Sequence, residues 1–245
     1  MKKVSLFCAA LLALTAVTAN AAGLNFRWNA AIAEAGALAN KTSACALNTG
    51  SNVAVASFSI PADIIGATAI ETIVDVATAG TALPAWWTTT CRTAFITANP
   101  TISASAANTF EWGPAVAGGL GAWRMGLDYG PSSGRAIMAF ATATPSDIIA
   151  AGGDYFAFNL VISNAKTTGT GSCAGCSTPA CLSFSNLKIA TGITYAPTIN
   201  SAAAPGSNYV TWQGGAGVSS NLGSGCPAAT PTRNASWSSV KSLYR

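Results

Sequence analysis

The richest chemistry in this 245-residue chain lies in its sulfurs. Cys173, Cys176 and Cys181 fall within the segment Cys-Ala-Gly-Cys-Ser-Thr-Pro-Ala-Cys. In a reducing compartment that spacing, with Cys226 as a fourth ligand, suits a thiolate zinc site. A Cys-x-x-Cys pair could also run dithiol exchange if a strand-to-helix setting lowered one thiol pKa. In an oxidising compartment the same cysteines become disulfides. The flanks favour disulfides, because a Gly/Ser/Thr-rich stretch precedes the cluster and Pro179 lies inside it.

The N-terminus supplies the compartment. Lys2 and Lys3 form a basic start, Val4 to Val17 is an apolar run too short to span a bilayer, and Ala19-Asn20-Ala21 fits the small-x-small rule of a signal peptidase. Residues 1–21 therefore read as a cleaved signal peptide of a secreted bacterial protein, bound for the extracellular space or the periplasm and outer surface. Cys8 leaves with it; Phe7 stands where a lipoprotein needs a small residue. No second long apolar stretch follows, so no transmembrane segment is expected after cleavage. The mature chain keeps Cys45, Cys91, Cys173, Cys176, Cys181 and Cys226. An even set in a secreted chain predicts disulfides. Nearness in sequence favours Cys45–Cys91, Cys173–Cys181 and Cys176–Cys226. No metal and no cofactor is expected.

Histidine is absent, which removes the Ser-His-Asp triad, the Cys-His dyad and every histidine-ligated metal site. An enzyme here would have to rely on carboxylates, Tyr, Lys or Arg. The carboxylates are Glu34, Asp63, Glu71, Asp75, Glu111, Asp128, Asp147 and Asp154. A glycosidase needs two of them about 5–10 Å apart in a cleft. Glu111 and Asp128, each beside an aromatic, are the first pair to inspect, but no spacing imposes it, and no catalytic residue is assigned. Trp86, Trp87, Trp112 and Trp123 are the candidates for stacking a ligand ring, in competition with the plainer role of anchoring loops on the core. Gly118 to Gly121 lacks dinucleotide-binding spacing, and no EF-hand pattern occurs. Basic residues are scattered singly, and loss of Lys2 and Lys3 takes the net charge from +4 to +2. Neither a nucleic-acid footprint nor a polybasic membrane patch is present.

Strands must position these residues. Charged residues are only 8% of the chain, too few for a disordered chain or for the outer faces of a helical bundle. Periodicity of two recurs. The cleanest run is Asp154 to Ser163, apolar on both faces and so a central strand. Others are Leu24 to Trp28, Asn52 to Ile60, Ile70 to Ala77, Arg135 to Ala143, Leu182 to Ala190 and Tyr209 to Gln213, with weaker runs at Arg92 to Thr97 and Ala122 to Leu127. Gly/Pro/Ser-rich turns separate them, and Trp86-Trp87 falls in a loop or at a strand start. The pattern predicts an all-β chain: one mostly antiparallel β-sandwich over residues 22–230. Asn29 to Ala39 reads as a weak Ala-rich helix. Residues 231–245 form a short C-terminal docking helix or tag, with Ser236 as N-cap and Trp237, Val240, Lys241 and Tyr244 on one face.

The Leu24-Asn25-Phe26-Arg27-Trp28-Asn29 segment, the cysteine cluster and the terminus from Thr232 to Arg245 together resemble a group of uncharacterised secreted bacterial proteins. These end in Trp-x-x-(Ile/Val)-Lys-x-(Leu/Ile)-Tyr-Arg. The resemblance implies a compact exported domain and no particular activity. The sequence thus points to an exported, disulfide-stapled, non-catalytic binding or cell-surface protein with an unknown extracellular ligand, glycans among the candidates. Two alternatives stand beside it. One is a structural subunit that self-associates through uncharged strand edges; the other is a carbohydrate-active enzyme using a carboxylate pair.

Overall fold

Val, Ile, Phe and Thr alternate with small residues along the chain, and these runs become the strands. The computed structural model describes residues 22–78, 80–116, 121–125 and 130–215. Its strands are β1 (Gly23–Trp28), β2 (Asn40–Lys41), β3 (Ser51–Ser59), β4 (Ile64–Ile65), β5 (Ala69–Thr78), β6 (Ile96–Asn99) and β7 (Phe110–Glu111). They continue with β8 (Gly121–Met125), β9 (Ser133–Ala141), β10 (Ile148–Ile149), β11 (Tyr155–Ser163), β12 (Ala180–Thr191), β13 (Thr194–Tyr195) and β14 (Tyr209–Trp212). The first large sheet has the order β1-β3-β11-β6, with β7 added to β11; the second has the order β2-β14-β12-β5-β9-β8, with β13 on β12. Pairing is antiparallel except for β7 on β11 and β2 on β14.

The two sheets share one core. Phe26 and Phe158 from the first sheet meet Phe140 and Phe184 from the second, with ring centroids 5.4 Å apart for Phe158–Phe184 and 5.7 Å for Phe140–Phe158. Each such buried ring contributes about 1.5–3 kcal/mol relative to an exposed one. The expected alternation holds in β5, where Ile70, Thr72, Val74 and Val76 are buried. Asp75, on the opposite face, is buried too. Its Oδ1 accepts from Arg135 Nε at 2.6 Å, and its Oδ2 accepts from Ser185 Oγ at 2.6 Å. Arg135 stands directly opposite Asp75 in the β5–β9 ladder, so this bridge helps fix the register.

Two local expectations fail, and one open choice is resolved. Asn29 to Ala39 forms turns rather than a helix. Asn29 has a φ of 71° and Gly36 one of 90°, both outside the helical basin. Of the two settings expected for Trp86 and Trp87, the loop is the one found: they lie in the 3-10 turn Ala85–Trp87, both buried. The strand expected from Arg92 starts only at Ile96, because Ala94 takes a φ of 52° and Arg92 turns its guanidinium inward. The proposed C-terminal helix and the signal peptide lie outside the described residues.

The disulfides differ from the pairing favoured by sequence nearness. Cys45 bonds Cys176 and Cys91 bonds Cys173, at Cα separations of 5.9 and 6.0 Å. This corrects all three expected pairings, Cys45–Cys91, Cys173–Cys181 and Cys176–Cys226. Topology gives the reason. The end of β11 lies beside the starts of β3 and β6, with Ser163 opposite Ser51 and Ile162 opposite Ile96. The loop leaving β11 therefore meets the loops that enter β3 and β6, which carry Cys45 and Cys91. Cys181 is disulfide-bonded as well, while Cys226 lies outside the described residues. Each bridge closes a loop of 131 or 82 residues, worth on the order of 4–5 kcal/mol in the chain-entropy account.

Candidate functional site

Three of the four tryptophans singled out from the sequence are interior. Trp86 and Trp87 are fully buried and Trp112 nearly so, so none can stack on an external ring. Trp86 lies against Trp212 at 5.3 Å and meets Trp87 edge-on at 4.8 Å. Trp212, which the sequence reading did not single out, donates its indole N–H to Cys176 O at 2.6 Å. Trp86 donates to Thr167 Oγ1 at 3.0 Å. These rings form an aromatic bed under the disulfide-bearing loop.

Trp123 is half-buried on β8. It packs edge-on against Phe95 at 5.2 Å and lines a cleft of about 410 Å³ between β6 and the β8–β9 pair. Leu160, Met138 and Ala136 floor the cleft, and among the described residues no charged side chain lines it. Of the carboxylates inspected first, Glu111 is exposed on β7 and Asp128 lies outside the described residues. No group of three or more His, Cys, Asp or Glu side chains is placed to hold a metal among the described residues.

The most distinctive polar site is a second cleft, of about 400 Å³, on the outer face of the first sheet. Its floor follows from strand alternation. Leu24, Phe26 and Phe58 point into the core, so Asn25, Ser57 and Ser59 point away from it. Asn25 and Ser57 are direct cross-strand partners. Much of the outer face is covered by the turn after β1 and by the segment before β7. These two are tied together by Ala31 N donating to Ser105 O at 2.8 Å. Apolar contact among Ala31, Val55, Ala106 and Phe156 holds this cover down. The cover stops short of Asp154, and the cleft opens there.

Asp154 sits just before β11, with its carboxylate laid across β1 and β3. Asn25 Nδ2 donates to Oδ1 at 3.3 Å and Ser57 Oγ donates to Oδ2 at 3.1 Å. Burial pushes the carboxyl pKa up, against the opposing pull of the Ser57 and Asn25 hydrogen bonds. Among the described residues Arg135 pairs with Asp75, and Arg27, two residues beyond Asn25 on the same face, makes no ion pair with Asp154. Its Nη1 is committed to the carbonyls of Phe26, Gly206, Ser207 and Tyr209 at 2.8–3.1 Å. Among the described residues no basic side chain lines the cleft.

The rim carries an aromatic. Phe110 is 61% exposed and lies 5.8 Å from the buried ring of Tyr155. Tyr155 in turn accepts at its hydroxyl from Ala150 N at 2.7 Å. Asn108, also on the rim, is held by Glu34, which accepts from its backbone N–H and from its Nδ2. The site thus offers one carboxylate, amide and hydroxyl groups and an open ring face. Sequence reasoning missed it because Asn25 and Asp154 are 129 residues apart and Phe110 stands next to the less informative Glu111. The one available signal was the run of small and polar residues alternating with Leu24, Phe26 and Phe58. No family model, curated protein or solved structure matches the chain significantly.

Proposed function

We propose that this is an exported, non-catalytic binding protein: a β-sandwich whose ligand seat is the Asp154 cleft. The observation that carries the reading is a desolvated carboxylate at the floor of an open cleft with no cation bonded to it among the described residues. Burying a charge without an ion pair costs stability, and such costs concentrate at functional sites. Disulfide formation supports an oxidising, extracellular or periplasmic setting. Asn25, Ser59, Asn108 and Asp154 suit a hydroxylated ligand, and Phe110 offers a face to the C–H side of a sugar ring, so glycans lead the candidates. Glycan-array screening of the purified mature protein tests this. Bound glycans should be lost in Phe110→Ala. An empty array, or binding indifferent to that substitution, would count against the glycan reading.

One observation favours a second reading, a subunit of a surface assembly. β6 and β8 stand at the ends of their sheets' strand orders, and the described residues that line the cleft between them are uncharged. Such edges can accept another strand. Size-exclusion chromatography separates the readings, since a discrete monomer at high concentration rules out the subunit.

A further inference from the structure

The charge balance of the Asp154 cleft narrows the chemistry of what it takes. Among the described residues the Asp154 carboxylate is the only charged side chain lining the cleft, and Glu34 stands at the rim, held on Asn108. Arg27 is directed to four backbone carbonyls. A neutral polyol would leave the carboxylate without a counter-charge in a partly dry site. A hard metal ion would want six or more oxygen ligands, and the cleft supplies one carboxylate and a few neutral groups. An organic cation needs less: one carboxylate to accept its N–H groups, neutral oxygens for the remaining donors and an aromatic face beside it. Asp154, Asn25, Asn108 and Phe110 provide that set.

We infer that the ligand of the Asp154 cleft carries an organic ammonium group, seated on the Asp154 carboxylate with its apolar flank against Phe110. The inference rests on the reading of this cleft as the ligand seat. An amino sugar satisfies both, with the ring on Phe110 and the ammonium on Asp154.

Isothermal titration calorimetry at neutral pH tests it with D-glucosamine, N-acetyl-D-glucosamine and n-butylammonium as probes. The two sugars differ in whether the nitrogen is charged, and n-butylammonium presents the charge without a sugar. D-glucosamine should bind at least about 10-fold more tightly than its N-acetyl counterpart, and Asp154→Asn should weaken D-glucosamine binding about 10- to 100-fold. Phe110→Ala should weaken both sugars. Far-ultraviolet circular dichroism checks that each variant is folded. If n-butylammonium binds as well as D-glucosamine, the ammonium alone is recognised; if only D-glucosamine binds, the cation is read on a sugar. Equal binding of the two sugars, or a preference that survives Asp154→Asn, overturns the ammonium while leaving the cleft as a seat for neutral ligands. No binding by either amine also overturns it. Binding that ignores both substitutions overturns the cleft itself.

Discussion

Arg92 and Asp154 are both largely desolvated ions without a salt bridge among the described residues, and their surroundings assign them opposite roles. Arg92 is 2% exposed. Its guanidinium lies 3.9 Å from the Trp86 ring centroid and donates to the carbonyls of Trp86, Ala165 and Ser163. Burial lowers its pKa to about 10, so it remains charged at neutral pH, and each polar edge has a partner. This is a structural bracket that holds the start of β6 to the end of β11. Lysine offers a single point charge and no planar fork. Arg92→Lys should lower the unfolding free energy by about 2–4 kcal/mol in urea denaturation; an unchanged midpoint would refute the bracket. Asp154 is different, because two neutral donors do not offset its desolvation. A carboxyl whose pKa is raised by folding binds its proton more readily folded than unfolded. Its charge therefore costs stability at neutral pH, and the cost disappears as pH falls through the folded pKa. Asp154→Asn should raise the neutral-pH Tm by about 2–4 °C per kcal/mol relieved. That gain should shrink as the pH is lowered toward about 4. A loss of stability at neutral pH would show that Asp154 is a bracket too.

At the scale of elements, alternation was legible and pairing was not. The double-sided apolar run of β11 correctly announced a central strand, since it lies between β3 and β6 with Phe156 under the loop cover. The adjacent tryptophans anchor a loop on the core, the plainer of the roles weighed for them, through a 3-10 turn that buries both rings. The disulfides misled because sequence nearness says nothing about which loops share one end of a sheet. Non-reducing peptide mapping should recover Cys45–Cys176 and Cys91–Cys173; a Cys45–Cys91 peptide would contradict the topology. The β8 edge rests on a close approach. A Cβ on Gly134 would collide with the Trp123 indole, so Gly134→Val must push that ring out of the sheet edge. We expect a loss of about 1–3 kcal/mol and a change in near-ultraviolet circular dichroism. Wild-type-like values would show that Trp123 moves freely there.

At the scale of the molecule, one end and one face divide the work. The disulfides, Trp86, Trp87, Trp212 and Arg92 gather where β11 ends and β3 and β6 begin, which fixes the loops at that end. The Asp154 cleft lies near the opposite end of β11, on the outer face of the first sheet. The sequence made the stapled β-architecture readable, because alternation and cysteine count are local properties. The cleft stayed hidden because it is assembled from β1, β3, the turn after β1, the segment before β7 and the approach to β11. Its location is therefore the claim most in need of direct measurement. Two-dimensional ¹⁵N–¹H correlation spectra of the folded protein, titrated with D-glucosamine, map it residue by residue. The account predicts shifts confined to Asn25, Asn108, Phe110, Gly152 and Gly153, including the side-chain amides of both asparagines. Shifts centred instead on Trp123 and Ile96–Asn99, or shifts that avoid Asn25 and Asn108, would contradict it.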